Sequence, residues 1–220
     1  MPIIIVPARA GSKGLPGKHL LKLGGKTLIE YTFDVCDKLE LQTCLLTDEE
    51  KIKNVSKKYP HIDSSYSRPD SLSQDDSDLV DLIEDYFLQA GIDENMDIIL
   101  LQPTNPFRSY QEIKEAYNFF RNGQLTSLAF YSEPLSEPND CFEVSENKFL
   151  LEKYKSGRQF KPRLKFISGE CYIVKFSVLK RSRSFVTSDT FAWKSKNWKG
   201  GIDIDYQYQF DLAKHIQNGE

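Results

Sequence analysis

Arg9, Lys13 and Lys18 share one stretch, ARAGSKGLPGKHL (residues 8–20), with Gly11, Gly14 and Gly17. Glycine carries no Cβ, so backbone N–H groups at these positions can converge on an anion without obstruction. Three cations on such a loop suit a polyphosphate. The apolar run PIIIV before it reads as a strand buried on both faces. The loop therefore leaves the carboxyl end of a core strand, where open α/β sheets bind ligands. Neither common phosphate loop fits. A Walker A loop needs four residues between its glycine and the GK[ST] end, but Gly11 and Gly17 enclose five and His19 follows Lys18. A dinucleotide fingerprint needs GxGxxG opening a helix, and here the spacing is GxxGxxG with Pro16 inside.

Two further sets carry chemistry. In GGIDID, alternation along a strand puts Asp203 and Asp205 on one side. Two carboxylates so close repel unless a cation lies between them. Beside a polyphosphate loop that cation is Mg²⁺, which takes oxygen ligands and shares itself between carboxylates and phosphates. In LLQPTNPFR (residues 100–108), a buried strand ends in Gln102, and Pro103 and Pro106 stiffen the turn. That turn fans out Gln102, Thr104 and Asn105, with Arg108 after it and Ser109 as a helix N-cap.

These residues need a scaffold, and the pattern supplies one. KTLIEYTFDVCDKL, DEEKIKNVSKKY, DSDLVDLIEDYFLQA and SYQEIKEAYNFFRNG have helical spacing, while PIIIV, QTCLLT, MDIILLQPT and LTSLAFY read as strands. Strand–helix alternation over the first 130 or so residues predicts an open α/β sheet with crossover helices. From Glu133 to about residue 165 the chain turns rich in proline and charge and reads as a β-rich excursion. GECYIVK returns to the core, GGIDID reads as a late strand and YQYQFDLAKHIQ as a closing helix. Residues 1–220 form one domain on this reading.

Net charge is −3, so no global basic field draws the chain to nucleic acid. Cys36, Cys44, Cys141 and Cys171 form no CxxC pair, which argues against zinc. Cys36, Cys44 and Cys171 sit in apolar patterns and read as buried thiols of a reducing compartment. The opening apolar run has no basic segment before it and is too short to span a bilayer, so no membrane association and a cytoplasmic location are expected.

Taken in order, these segments resemble the acylneuraminate cytidylyltransferase family, the CMP-sialic acid synthetases. VPARAGSKGLPGKHL is similar to the family's [IV]PAR-x-GSK-x-[IL]P-x-KN, with His19 in place of Asn. LLQPTNPFR is similar to LQPTSPLR, and the segment from Arg68 through Leu72 to Asp75 to RPxxLxxD. The segment from Arg158 to Tyr172 is similar to RQ-x-x-P-x-[YF]-x-x-NG-x-x-Y, with Leu164 and Ser168 as departures. GIDIDYQYQFDLA is similar to IDID-x-x-x-D-[LF].

The resemblance implies an open, mainly parallel, doubly wound α/β sheet of the Rossmann-like nucleotidyltransferase kind. It implies transfer of CMP from CTP to the anomeric hydroxyl of a nonulosonic acid, with Mg²⁺ as cofactor and pyrophosphate as the other product. Ala8, Arg9, Gly11, Ser12, Lys13, Lys18, His19 and Arg68 would contact the nucleotide, Arg9 and Lys13 neutralising the departing phosphates as catalytic residues. Gln102, Thr104, Asn105, Arg108, Arg158, Gly169 and Tyr172 would hold the sugar, and Asp203 and Asp205 the metal. Residues 133–165 would form dimer contacts, which implies a homodimer. The alternatives are an octulosonate cytidylyltransferase, whose LQGDEP-like sequence differs from this chain's LQPTNPFR, a GTP-using relative, or a catalytically silent nucleotide binder.

Overall fold

β-Branched residues fill the first strand, β1 (Ile3–Ala8), and its four consecutive residues Ile3, Ile4, Ile5 and Val6 are all buried. The computed structural model describes residues 1–11, 14–74, 77–134, 143–145, 148–150 and 164–219. Parallel to β1 on one side lie β4 (Thr43–Thr47) and then β5 (Ile62–Asp63), and on the other side β6 (Asp97–Leu100). The sheet continues through β10 (Phe166–Lys175) and β7 (Ser127–Ser132) to β11 (Phe191–Lys194), giving the order β11-β7-β10-β6-β1-β4-β5. β10 runs antiparallel to both β6 and β7, while β11 is parallel to β7.

Helices cover both faces, which is why the central strands are mainly apolar. On one face Ile4, Val6 and Ala8 pack with Ile29 and Phe33 of α1 (Leu28–Leu39), Ile52 of α2 (Glu50–Ser56), and Ile113 and Phe120 of α4 (Tyr110–Asn122). On the other, Ile3 and Ile5 pack with Val80, Ile83 and Phe87 of α3 (Leu79–Ala90) and with Phe176 and Leu179 of α5 (Phe176–Ser182). A third cluster joins Leu15, the small hairpin of β2 (Lys22–Leu23) and β3 (Lys26–Thr27), residues 202–204, and the last helix, α6 (Gln207–Asn218). The doubly wound α/β sheet expected from the sequence is what the structure shows.

Some details differ from the sequence reading. Residues 202–205 form no strand: Trp198–Gly201 is a 3-10 turn, and the extended segment after it is tied by the Ile204 N–H donating to the Thr104 carbonyl at 2.9 Å. Alternation survives without a sheet, because Ile202 and Ile204 are buried while Asp203 and Asp205 face the other way. α5 and β11 carry no strong pattern and were not anticipated; β11 is a short edge strand with Phe191 and Ala192 exposed. Within the 133–165 excursion, β8 (Glu143–Ser145) and β9 (Lys148–Leu150) pair antiparallel. Its remaining structure falls mostly outside the described residues, as do Cys141, Asp75 and Asp76. Cys36, Cys44 and Cys171 are free and buried, as their apolar setting predicts. Among the described residues, no helix is long and apolar enough to cross a membrane.

Candidate active site

Strand order reverses at β1, whose neighbours β4 and β6 come from opposite directions of winding. Such a switch point leaves a crevice at the carboxyl ends of the strands. A cleft of about 420 Å³ lies there. One wall is the loop after β1, with Arg9, Gly14, Lys18 and His19; a second is the end of β6, with Gln102, Pro103 and Thr104. Arg68 and Ser77 come from the segment between β5 and α3, Leu79 from the first turn of α3, and Asp203, Asp205 and Tyr206 close the remaining side.

The basic loop is pinned at both ends. The Ala10 N–H donates to the Asp48 carboxylate beyond β4 at 2.8 Å. Lys18 Nζ reaches Asp205 Oδ1 at 2.6 Å, so one cation from the first segment grips one acid from the last. Gly14 permits this closure: a Cβ there would lie 2.4 Å from the Asp205 carbonyl oxygen. Arg68 donates through Nε and Nη2 to the Leu72 carbonyl at 2.9 and 2.7 Å, which curls its loop toward the cleft.

Asp203 is the most constrained acid. Burial pushes its carboxyl above the usual carboxylate range and the Asp205 charge adds to this, while the Thr104 hydroxyl, Lys18 and Arg108 pull the other way. Its Oδ1 is buried and accepts no hydrogen bond. Gly169, at φ +69°, backs it, since a Cβ there would sit 3.2 Å from Asp203 Oδ2. An orphaned carboxylate oxygen beside a second acid, with oxygen donors only, fits a hard cation shared with phosphates. Among the described residues, no group of three or more His, Cys, Asp or Glu is placed to hold a metal.

His19 lines the cleft although it is only 6% exposed, and its Nδ1 has no hydrogen-bond partner. Burial, then the charges of Lys18 and Arg9, push its pKa down to about 4, so the imidazole is neutral at physiological pH and offers one donor and one acceptor. The folded value lies below the unfolded one, so this burial is harmless above about pH 6.5 and costs stability as pH falls from there toward 4. At ~1.4 kcal/mol per pKa unit, the stability advantage of wild type over His19→Gln, which cannot titrate, should shrink by about 3 kcal/mol between pH 7.5 and pH 4. Urea unfolding of both proteins across that range checks this, and a constant difference would show the imidazole is not held neutral.

The residues singled out from sequence divide clearly. Arg9, Lys18, His19, Arg68, Gln102, Thr104, Asp203 and Asp205 line the cleft, and Gly169 stands against Asp203 and Gln102. Ala8 is buried at the end of β1, and Gly11 is exposed in the loop. Ser12, Lys13 and Arg158 lie outside the described residues. Asn105 and Arg108 sit beneath the cleft floor. Asn105 Nδ2 donates to the Gly200 carbonyl and, at 3.4 Å, to that of Ser168. Arg108 donates from Nη1 to Thr32 Oγ1 at 2.9 Å and from Nη2 to the Gln102 carbonyl at 2.5 Å. Tyr172 on β10 packs near Phe185, with ring centroids 5.8 Å apart, and is not among the cleft-lining residues. Sequence reasoning missed Ser77, Leu79 and Tyr206, whose only signal is adjacency to named motifs. It also missed Glu170, which is fully buried behind Gly169; burial, with the Glu112 charge adding, raises its pKa to about 7.

With this geometry in place, comparison with known proteins is decisive for the family. Residues 3–171 match the family model described as Cytidylyltransferase. The chain belongs to the cytidylyltransferase family. An N-acylneuraminate cytidylyltransferase of Streptococcus agalactiae serotype V is 27% identical over 219 residues, covering 95% of this chain and 51% of the relative. The chain thus spans about half the length of that relative. The CMP-N,N'-diacetyllegionaminic acid synthase of Legionella pneumophila is 28% identical over 233 residues, covering 97% of this chain and 95% of that one. A solved CMP:2-keto-3-deoxy-manno-octonic acid synthetase complexed with CTP superposes with a TM-score of 0.70 at 15% identity, covering 100% of this chain and 99% of the other, a likeness of fold.

Proposed function

We propose that this chain transfers CMP from CTP to the anomeric hydroxyl of a nonulosonic acid, releasing pyrophosphate. The observation that carries the reading is the meeting, at the switch point of the sheet, of a glycine-rich basic loop with an acid pair that has an unsatisfied buried oxygen. The Legionella relative, matched over nearly its whole length, is named for a synthase of a CMP-linked sugar acid.

In the proposed step the sugar oxygen attacks the α-phosphorus in line, the new P–O bond forms, the bond to the bridging oxygen breaks so that pyrophosphate leaves with that oxygen, and the hydroxyl proton passes to solvent water. Such transfers depend on positioning and on neutralising charge more than on covalent help. Arg9 and Lys13 would neutralise the departing phosphates, with Lys18 supporting them once it leaves Asp205. Asp203 and Asp205 would hold Mg²⁺, which when bound balances charge on phosphate oxygen and lowers the pKa of the attacking hydroxyl. His19 and Arg68 would contact the nucleotide, and Gln102 and Thr104 the sugar, with Arg158 the cation for its carboxylate.

The protein would work in the cytoplasm as a homodimer. Leu164, Phe166 and Ile167 at the root of the excursion are each 46% exposed, and this apolar surface supports a partner copy there. Pyrophosphate release, measured with each of the four NTPs, Mg²⁺ and a panel of nonulosonic and octulosonic acids, tests the reading. Release with CTP and a nonulosonic acid is the expected result. Release only with an octulosonic acid or with GTP would overturn the substrate assignment, and CTP binding without any release would overturn catalysis.

A further inference from the structure

Asp205 is held at three points. Its carboxylate is paired with Lys18, and its carbonyl is packed against Gly14. Its N–H donates to Gln209 Oε1 at 2.8 Å, and the N–H of Tyr206 donates to that same oxygen at 2.8 Å. Gln209 sits in the first turn of α6, next to Phe210, which is 4% exposed and anchors the helix in the third apolar cluster. An ordinary capping side chain returns to the N-cap residue only. Here one oxygen also takes the amide of the residue before the cap, and that residue is the cleft acid.

The three holds differ in what becomes of them when substrate arrives. In the reading given above, on which this inference rests, Lys18 exchanges Asp205 for phosphate. Packing against Gly14 restricts the carbonyl but does not orient the carboxylate. Gln209 is not among the residues that line the cleft, so its bonds need not break when the ligand arrives. We infer that Gln209 is a positioning residue: it fixes the backbone of Asp205 so that the carboxylate keeps its aim after Lys18 has let go. Side chains behind a metal ligand commonly contribute tenfold or more to metal affinity through such orientation.

The test is the affinity of the whole protein for CTP, measured by calorimetry without sugar, once with Mg²⁺ and once with EDTA. Wild type should bind more tightly with Mg²⁺, and Asp205→Asn should lose that gain. Gln209→Ala should reduce the gain about tenfold with the EDTA value unchanged. Gln209→Glu, which keeps an acceptor at the same reach, should restore it. Turnover of Gln209→Ala should fall with the sugar KM unchanged. If Gln209→Ala keeps the whole gain while Asp205→Asn loses it, the inference fails and the reading of the site stands. If Gln209→Ala weakens binding equally in both conditions, Gln209 is only a helix cap and the inference also fails. If wild type and Asp205→Asn show no gain, the metal reading fails and the inference with it.

Discussion

Asp203→Asn is expected to lower turnover by about a thousandfold, roughly 4 kcal/mol of transition-state stabilisation, without loss of thermal stability. Asparagine has nearly the shape of aspartate, so the packing of Gly169 against this side chain is kept. What disappears is one negative charge in a place where burial and Asp205 already disfavour it. Removing a charge that folding disfavours relieves the folded state, so the melting temperature should hold or rise while activity collapses. Opposite signs for stability and activity mark a group kept for function at a cost to the fold. Steady-state kinetics paired with thermal melts would decide it. A parallel fall in both would make Asp203 a structural acid and remove the reason for placing a cation beside it.

Arg108→Ala should act the other way, costing about 3–5 kcal/mol of stability. Arg108 is 6% exposed, and its hydrogen bonds join α1 to the turn after β6 through Thr32 and the Gln102 carbonyl. Burial lowers the guanidinium pKa, with Cys171, Cys36, Glu170 and Asp203 opposing that shift. Truncation leaves a cavity, leaves the Gln102 carbonyl only the 3.5 Å bond from the Asn105 N–H, and removes the positive neighbour of the buried Glu170. Arg108→Lys, with charge but no planar fork, should recover part of the loss. Urea unfolding gives the measurement. A change under ~1 kcal/mol together with a large rise in sugar KM would return Arg108 to the role of substrate contact that the sequence motif implies.

The contrast between these two residues shows what a sequence can disclose. The loop of glycines and cations was legible because those residues are local, and the shared side of Asp203 and Asp205 because alternation needs only two neighbouring residues. The sheet was legible because strands buried on both faces are apolar end to end. The setting of Arg108 was not, since the motif implies only a sugar contact and nothing local signals the bond to Thr32, 76 residues away. Glu170 gave no warning either, because the Gly200 backbone that packs on its carboxyl comes from a turn 30 residues later. α5 and β11 were missed for a different reason: each is short, and long-range pairing decides them more than local propensity does.

The place of β10 has a consequence for how the chain reaches its native state. β7 is made before the excursion, yet it enters the sheet through β10, which ends at Lys175, and has no pairing with β6. The parallel core of β1, β4, β5 and β6 can close from the first hundred residues, whereas β7 must wait with unpaired edges until the excursion has been synthesised and β10 returns. Closing that loop is a slow, entropy-limited step, and until it happens the exposed strand is open to pairing with another chain. A change in the excursion's length is therefore expected to register first as a change in refolding rate and in the yield of soluble protein.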